Sequence, residues 1–372
     1  MPGTAIVSPD DQKVTFVELF FDLVFVFCVT QVVKLLHGHL DVKSGFSALL
    51  VFWLVWWAWT QFTWALNAAN TEQPRIQVVT LLATAIAFFL AVGIPDAVTT
   101  GPWWFAVSYV ALRVAGLLVY YWVARTDPDQ RRAVRVFSLF SMTGLVAVLA
   151  GGYIGGGALY AFWGSAIALD MGAAAVGGQL EGWNLHHAHF AERHGLIVII
   201  ALGETLIIAA AGLVGAPRSA TVIGSGVLAV AVTAGLWWTY FEHAHRGLEH
   251  ALFVRTGSAR SCLARDVFSI MHFPMLCGVI AVAAGTEAAL ANPGQVLSAD
   301  LRVALGGGAA LFVCGTALAT WRATGRPLLW RWAIALPTAA IVYAIGALPW
   351  ATLAILLLSL VGIAAIEHRR LA

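Results

Sequence analysis

Charge is what this sequence has least of. Only 11% of its 372 residues are Asp, Glu, Lys or Arg, against about 25% in an ordinary soluble domain. A soluble globule of this length needs more charge to cover its exterior. The few charges nearly cancel, with 21 Lys and Arg against 19 Asp and Glu. That balance gives no basic field for a phosphate backbone and excludes nucleic acid as a partner. Lysine is confined to Lys13, Lys34 and Lys43. All three lie at or outside the edges of apolar runs, which disfavours a retinal protein, whose Schiff base needs a mid-span lysine. Cysteine is sparse too. Cys28, Cys262, Cys277 and Cys314 form no CxxC pair, so neither a zinc motif nor a dithiol motif is indicated and packing roles are expected. No P-loop or GxSxG elbow occurs, and no cofactor is implied. The first apolar run carries Glu18 and Asp22 and lacks a basic flank and a small-residue cleavage site, so no cleavable signal peptide is expected.

What the sequence has is hydrocarbon. Apolar residues make up 60% of the chain, with 16 Trp and 20 Phe, and mean hydropathy is +0.83. A bilayer core about 30 Å thick needs about 20 helical residues. Twelve runs meet that length: 14–36, 45–66, 75–95, 103–124, 133–151, 157–178, 193–214, 219–241, 264–286, 299–320, 328–346 and 348–366. Turn formers separate them, among them Pro74, Gly101-Pro102, Asp127-Pro128, Gly215-Ala216-Pro217, Asn292-Pro293-Gly294 and Pro349. Continuous apolar runs fit helices rather than the alternating strands of a barrel. The expected fold is all-α: a polytopic integral membrane protein, a single membrane domain whose partner is the lipid bilayer.

Orientation follows from the basic residues. With a cytoplasmic N-terminus, 16 of the 21 Lys and Arg fall on inner segments. Lys34, Lys43, Arg218 and Arg302 fall outside, and Arg113 lies within a span. Both termini are therefore expected in the cytoplasm of a bacterial cell, with the chain in its inner membrane.

The chain reads as two six-helix halves, 1–180 and 181–372. ELFFDLVFVFCVTQ at 18–31 aligns with ERHGLIVIIALGET at 192–205, Trp59-Thr60-Gln61-Phe62 with Trp238-Thr239-Tyr240-Phe241, and the end of the third run with the end of the ninth. Six spans per half is even, so both halves insert the same way, around a pseudo-two-fold axis along the membrane normal.

Two motifs carry a family resemblance. Val14-Thr15-Phe16-Val17-Glu18-Leu19-Phe20-Phe21-Asp22-Leu23-Val24-Phe25-Val26-Phe27, followed by Thr30-Gln31, resembles the opening of the bacterial low temperature requirement A (LtrA) membrane family. His189-Phe190-Ala191-Glu192-Arg193-His194-Gly195-Leu196, running on to Ala201-Leu202-Gly203-Glu204, resembles its second signature. Trp237-Trp238-Thr239-Tyr240-Phe241 and His272-Phe273-Pro274-Met275 also fit. The resemblance implies an integral bacterial membrane protein linked by name to growth in the cold, and brings no reaction or substrate. Phe20-Phe21-Asp22 is also similar to a Phe-Ser-Asp motif in a potassium-channel family built from two six-helix repeats. Phe21 stands where that motif has serine, so potassium conduction is not carried over.

Charges within the spans are the functional clue. A charge at a helix centre costs about 2.5–3.5 kcal/mol on the insertion scale, so such residues face the bundle interior and find partners. Glu18 and Asp22, four apart, share a helix face. They line a cation or proton path, or they hydrogen-bond a neighbouring helix. Thr30 and Gln31 are neutral candidates on the same helix. Glu204 is mid-span, and Arg113, which needs a carboxylate or several carbonyls, is expected to pair with Glu204, Asp22 or Asp170, either gating a pathway or only locking the halves together. A transporter or channel for a small ion or solute is the leading expectation.

Histidines cluster around the seventh and eighth runs. Glu192, His194, Glu242 and His245 form the candidate metal set, which would suit a membrane-embedded metal-dependent enzyme or lipid-handling protein. The alternative for them is a wetted inner rim. Trp53, Trp56, Trp57, Trp59 and Trp64 are expected at a membrane interface rather than in a ligand cage. Gly155-Gly156-Gly157 and Gly306-Gly307-Gly308 are expected at helix kinks or close approaches.

Overall fold

The computed structural model describes residues 6–9, 12–36, 41–214 and 219–371. Arg218 and the turn at Gly215-Ala216-Pro217 lie outside them. Among the described residues the fold is all-helical apart from an isolated bridge between Val7 and Ala69. In chain order the helices are α1 (Phe16–Leu35), α2 (Val42–Ala68), α3 (Pro74–Val92), α4 (Pro102–Ala124), α5 (Pro128–Ile154), α6 (Gly156–Gly177), α7 (His187–Leu213), α8 (Ala220–Phe253), α9 (Gly257–Ala291), α10 (Ala299–Thr324), α11 (Leu329–Ile345) and α12 (Pro349–Arg370). Eleven of them are long and apolar enough to cross a membrane. The exception is α11. Its 17 residues reach about 26 Å at 1.5 Å per residue, and Pro337 interrupts its interior.

Local chemistry explains the ends. The Gln73 side chain accepts from Arg75 N and Ile76 N, with Pro74 opening α3. Asp127 caps α5 ahead of Pro128. Ser219 and Ser298 cap α8 and α10. Gly155 has φ +68° and Gly156 φ +59°, a left-handed joint that folds α6 back beside α5 and that side-chain-bearing residues rarely adopt.

Three helices carry a π-helical turn that the apolar pattern does not announce: Thr239–Ala244 in α8, Ala264–Ile270 in α9 and Val303–Gly307 in α10. Helices α8 and α9 also run past their expected ends at 241 and 264, because the polar residues there continue the same backbone spiral.

The chain forms two compact units. One comprises Met1–Leu35, Phe46–His194 and Leu252–Ser269; the other comprises Leu36–Gly45, Gly195–Ala251 and Ile270–Ala372. The units are interleaved in sequence, and α7 and α9 each contribute to both. In the first unit, α5 packs closely on its neighbours. A Cβ at Gly152 would stand 2.5 Å from Ala106 Cβ and 3.0 Å from the Pro102 carbonyl of α4. In the second unit, α9 meets α10 at Gly278 and Gly308, where a Cβ on Gly278 would lie 2.5 Å from the Gly308 carbonyl oxygen. Lipid gives helices no hydrophobic reason to associate, so small residues that admit close backbone contact supply the packing.

A Gly278→Ala variant is expected to lose about 1–3 kcal/mol through overpacking, because backbone rather than a flexible side chain stands in the way. Thermal unfolding in detergent checks it, with Gly164→Ala, which would meet nothing within 4 Å, as the neutral comparison.

Candidate functional site

Among the described residues three arginines, Arg113, Arg193 and Arg331, are fully buried. An arginine removed from water needs a carboxylate and further acceptors for its remaining donors. Each has found a carboxylate, but the three sites are not equally complete.

Arg113 of α4 pairs with Asp170 of α6 through two parallel bonds, Nη2 to Oδ1 at 2.8 Å and Nη1 to Oδ2 at 2.9 Å. Its Nε donates to Gln61 Oε1, and its other donors reach the Tyr109 and Ser141 hydroxyls. Gln61 Nε2 returns a bond to the Arg113 carbonyl at 3.2 Å, and Ser141 adds a 3.1 Å bond to Asp170 Oδ1. Every nitrogen of the guanidinium is engaged. This site ties α2, α4, α5 and α6 together within the first unit.

Arg331 of α11 repeats the arrangement in the second unit. It bonds Glu367 of α12 through Nε at 2.6 Å and Nη2 at 3.0 Å, with Thr316 Oγ1 at 2.6 Å and the Thr239 carbonyl at 2.7 Å. Trp330 Nε1 donates to Glu367 Oε1 at 3.1 Å. This site is also saturated.

The site at the starts of α1 and α7 is different. Asp22 and Arg193 each lie six residues into their helices, about 9 Å from the first residue. Arg193 donates to Asp22 Oδ1 and, at 3.3 Å, to Glu18 Oε1. Trp59 Nε1 donates to Asp22 Oδ1 at 2.8 Å, and its ring lies 5.6 Å from the Arg193 guanidinium. Glu18 Oε2 accepts from Thr15 N at 3.0 Å and Thr15 Oγ1 at 2.9 Å. Thr15-Phe16-Val17-Glu18 thus supplies the Glu-to-N-cap half of a capping box. His189 Nε2 stands 3.0 Å from Glu18 Oε1.

His189 is held by its neighbours. Asn67 Oδ1 accepts from His186 N at 2.9 Å, so the Asn67 amide nitrogen is the end that faces His189 Nδ1, at 2.9 Å. The Gln12 amide nitrogen also lies 3.4 Å from His189 Nε2. Two atoms of the site, Asp22 Oδ2 and Arg193 Nε, are buried without a hydrogen-bond partner.

The structure gathers some of the expected residues and separates others. Glu18 and Asp22 share one site through Arg193. Asp170, among the three acids considered for Arg113, is its partner; Asp22 is engaged elsewhere. Glu204 is buried in the part of α7 that belongs to the second unit. Gln31 is buried in α1, while the Thr30 hydroxyl bonds back to the Val26 carbonyl at 3.1 Å.

Among the described residues no group of three His, Cys, Asp or Glu could hold a metal ion. Glu192 is exposed, and Glu242 lies 3.6 Å from Arg246. His194 is packed among aromatic rings, its centroid 4.4 Å from Phe190 and 5.0 Å from Trp59. The backbone of Gly195 passes close to His245, whose Nε2 would be 2.9 Å from an added Cβ. The interface expectation for the α2 tryptophans is corrected. Trp56, Trp57 and Trp59 are buried, and α1 and α9 supply acceptors for the indole N–H groups of Trp59, Trp56 and Trp64 inside the bundle. Trp56 Nε1 reaches the Ser269 carbonyl at 2.7 Å and Trp64 Nε1 the Ser269 hydroxyl at 2.9 Å. Trp103, Trp104, Trp237 and Trp238 are exposed, as an interface role requires.

Sequence reasoning missed the roles of Arg193, His189, Asn67, Arg331 and Glu367. Arg193 and Arg331 were counted as rim charges because the apolar runs begin near them, whereas α7 begins a turn and a half earlier, at His187. The capping box at Thr15 was the available signal for Glu18.

The sequence model of the bacterial low temperature requirement A protein family, LtrA, matches residues 13–366. A curated relative, the uncharacterized protein RA0937 of Rhizobium meliloti (strain 1021), is 29% identical over 332 residues, covering 83% of this chain and 77% of its own. No solved structure matches the chain.

Removing one partner of a saturated buried pair strands the other, at about 3–5 kcal/mol. Arg113→Met and Asp170→Leu are each expected to be destabilising on that scale, and the double variant less so than either single one. A thermal-unfolding cycle in detergent measures the coupling; additive losses would show that the pair does not act as a unit.

Proposed function

We propose that this chain, which belongs to the bacterial low temperature requirement A (LtrA) family, is a transporter or channel that moves a small ion or solute across the bacterial inner membrane. The charge balance where α1 meets the start of α7 carries this reading. Glu18 and Asp22 set two carboxylates against the single guanidinium of Arg193. With His189 as a neutral imidazole, one negative charge is left over in a buried place, where an uncompensated ion costs several kcal/mol. One proton or one monovalent cation cancels it. Asp22 Oδ2, buried and without a hydrogen-bond partner, is the atom that receives it. The Arg113 and Arg331 sites are balanced and saturated, so they serve as structural locks rather than as ion sites.

Topology supports the same reading. With both termini in the cytoplasm, as the distribution of Lys and Arg favours, the first turns of α1 and α7 face the inner side, and the Asp22 site is entered from there. The two locks also support a reading of two six-helix repeats. In each half a buried arginine, on the fourth helix in one and the fifth in the other, holds a carboxylate of the last helix and touches the second helix, at Gln61 in one and at Thr239 in the other. Transporter sites lie where such repeats meet. The tie to growth in the cold rests on the family's name alone.

Proteoliposomes loaded in turn with a dye selective for H+, Na+ or K+, under an imposed membrane potential, test the proposal with each of these ions. Protein-dependent flux of at least one of these ions is expected. Asp22→Asn should reduce it at least ~10-fold, the loss associated with about 1.4 kcal/mol or more, while gel filtration shows an intact protein. Unchanged flux in that variant, or none of the three ions moving, would refute the assignment.

A further inference from the structure

With His189 neutral, the Asp22 site lacks one positive charge, and its surroundings decide which ion supplies it. Glu18 and Asp22 stand one turn apart on α1, and His189 and Arg193 stand one turn apart on α7. The four side chains form two rungs. His189 meets Glu18 at 3.0 Å on the first, and Arg193 meets Asp22 on the second while reaching back to Glu18 at 3.3 Å. The second rung lies about 6 Å further along the helices, at 1.5 Å per residue. Gln12 stands beside the first rung, its Nε2 3.4 Å from His189 Nε2. Of the other charged or titratable groups on these elements, Lys13 and Glu192 are exposed, and His194 packs its ring 5.0 Å from that of Trp59. Helix α2 brings Trp59 and Asn67, which do not titrate.

A metal cation is poorly served here. Transporters and channels hold sodium or potassium with oxygens, many of them backbone carbonyls freed where a helix unwinds. Helices α1, α2 and α7 run through this site unbroken, so their carbonyls are committed to helix bonds. Among the described residues, every hydrogen-bond partner of the two carboxylates is a nitrogen, the Thr15 hydroxyl apart. The nitrogens of Arg193 and Trp59 only donate, so they cannot ligate a cation. Glu18, Asp22 and His189 do not gather as a metal-ligand group. Glu18, Asp22 and Arg193 are also 0% exposed, which leaves no surface for an ion with a coordination shell. A proton needs neither ligands nor room.

We infer that the ion is H+ and that this cluster is a two-position proton site, with His189 the shallow position and Asp22 the deep one. The inference rests on the reading of Asp22 as the ion site. One proton on His189 gives two balanced pairs, imidazolium with Glu18 and guanidinium with Asp22. The same proton on Asp22 leaves Arg193 to balance Glu18, with His189 neutral. Both placements bring the cluster to zero net charge. Transfer to the deep position breaks N–H at His189 Nε2 as O–H forms on Glu18; that O–H then breaks as O–H forms on Asp22 Oδ2. Arg193 keeps its protons throughout and holds both carboxylates. Chains of Asp, Glu and His relay protons in this way within membrane pumps and transporters.

Infrared spectroscopy of the full-length protein in detergent reads the proton itself, because a protonated carboxyl has its own C=O band. Titration through neutral pH is expected to show a band that grows on acidification, is missing in Asp22→Asn and is shifted in Asp22→Glu. No titrating band, or one that both variants leave unchanged, overturns the inference. The band should be the same in sodium, potassium and N-methylglucamine chloride. Its loss on adding Na+ or K+ would show a metal ion competing for the site and overturn the inference, and this arm needs no variant. In proteoliposomes His189→Gln should cut H+ flux at least ~10-fold while keeping the Asp22 band; unchanged flux removes His189 from the relay. Na+ or K+ flux that Asp22→Asn abolishes would leave the transporter reading standing and overturn this one. A titrating Asp22 band with no flux of any ion would refute transport and leave the proton site.

Discussion

An ionised side chain cannot be left alone inside a membrane protein, and the helices that meet the buried arginines here answer to that constraint. Three arginines are buried beyond the reach of water. Each must be met by a carboxylate and by acceptors for its other donors, and those partners come from different helices. Asp170, Ser141 and Gln61 reach Arg113 from α6, α5 and α2. Glu367 and Thr316 reach Arg331 from α12 and α10. A few bonds of strict direction thereby set the order and rotation of helices whose apolar surfaces are nearly interchangeable. Burial of an ion pair is weak evidence of added stability; its contribution here is to specify which faces meet.

Close packing supplies the remainder. In lipid the apolar side chains have no water to escape, so contact area and small residues decide association. Gly152 against α4 and Gly278 against α10 let backbones approach to distances that a methyl group would block. The π-helical turns act alongside. Two of them carry carbonyls, of Thr239 and Ser269, that accept bonds from buried side chains of other helices. Widened turns of this kind recur at functional sites, and here they belong to the polar interior of each unit.

Against this background of saturation, one incomplete place stands out. At the Asp22 site two carboxylates face one arginine, and Asp22 Oδ2 and Arg193 Nε have no hydrogen-bond partner. The guanidinium groups of Arg113 and Arg331, by contrast, are fully engaged.

Much of the fold was legible in the sequence because a membrane span is a local property. Length, apolar continuity and turn residues such as Asp127-Pro128 and Gly155 suffice to mark each helix, and charge scarcity excludes the soluble alternatives. The spacing of Glu18 and Asp22 likewise announced a shared face. The partnerships were not legible. Nothing near Arg113 in the chain selects Asp170 over Asp22 or Glu204, since all three sit in apolar runs and the choice is made by helix rotation. Arg193 read as a rim charge because hydropathy cannot see that α7 starts at His187, where the residues are polar but the backbone is already helical. The α2 tryptophans read as interfacial because composition is blind to acceptors brought from α1 and α9. Spans follow from the solvent the chain must match, residue by residue; sites follow from which faces of separate helices meet, and that is decided only when long-range packing brings distant side chains together.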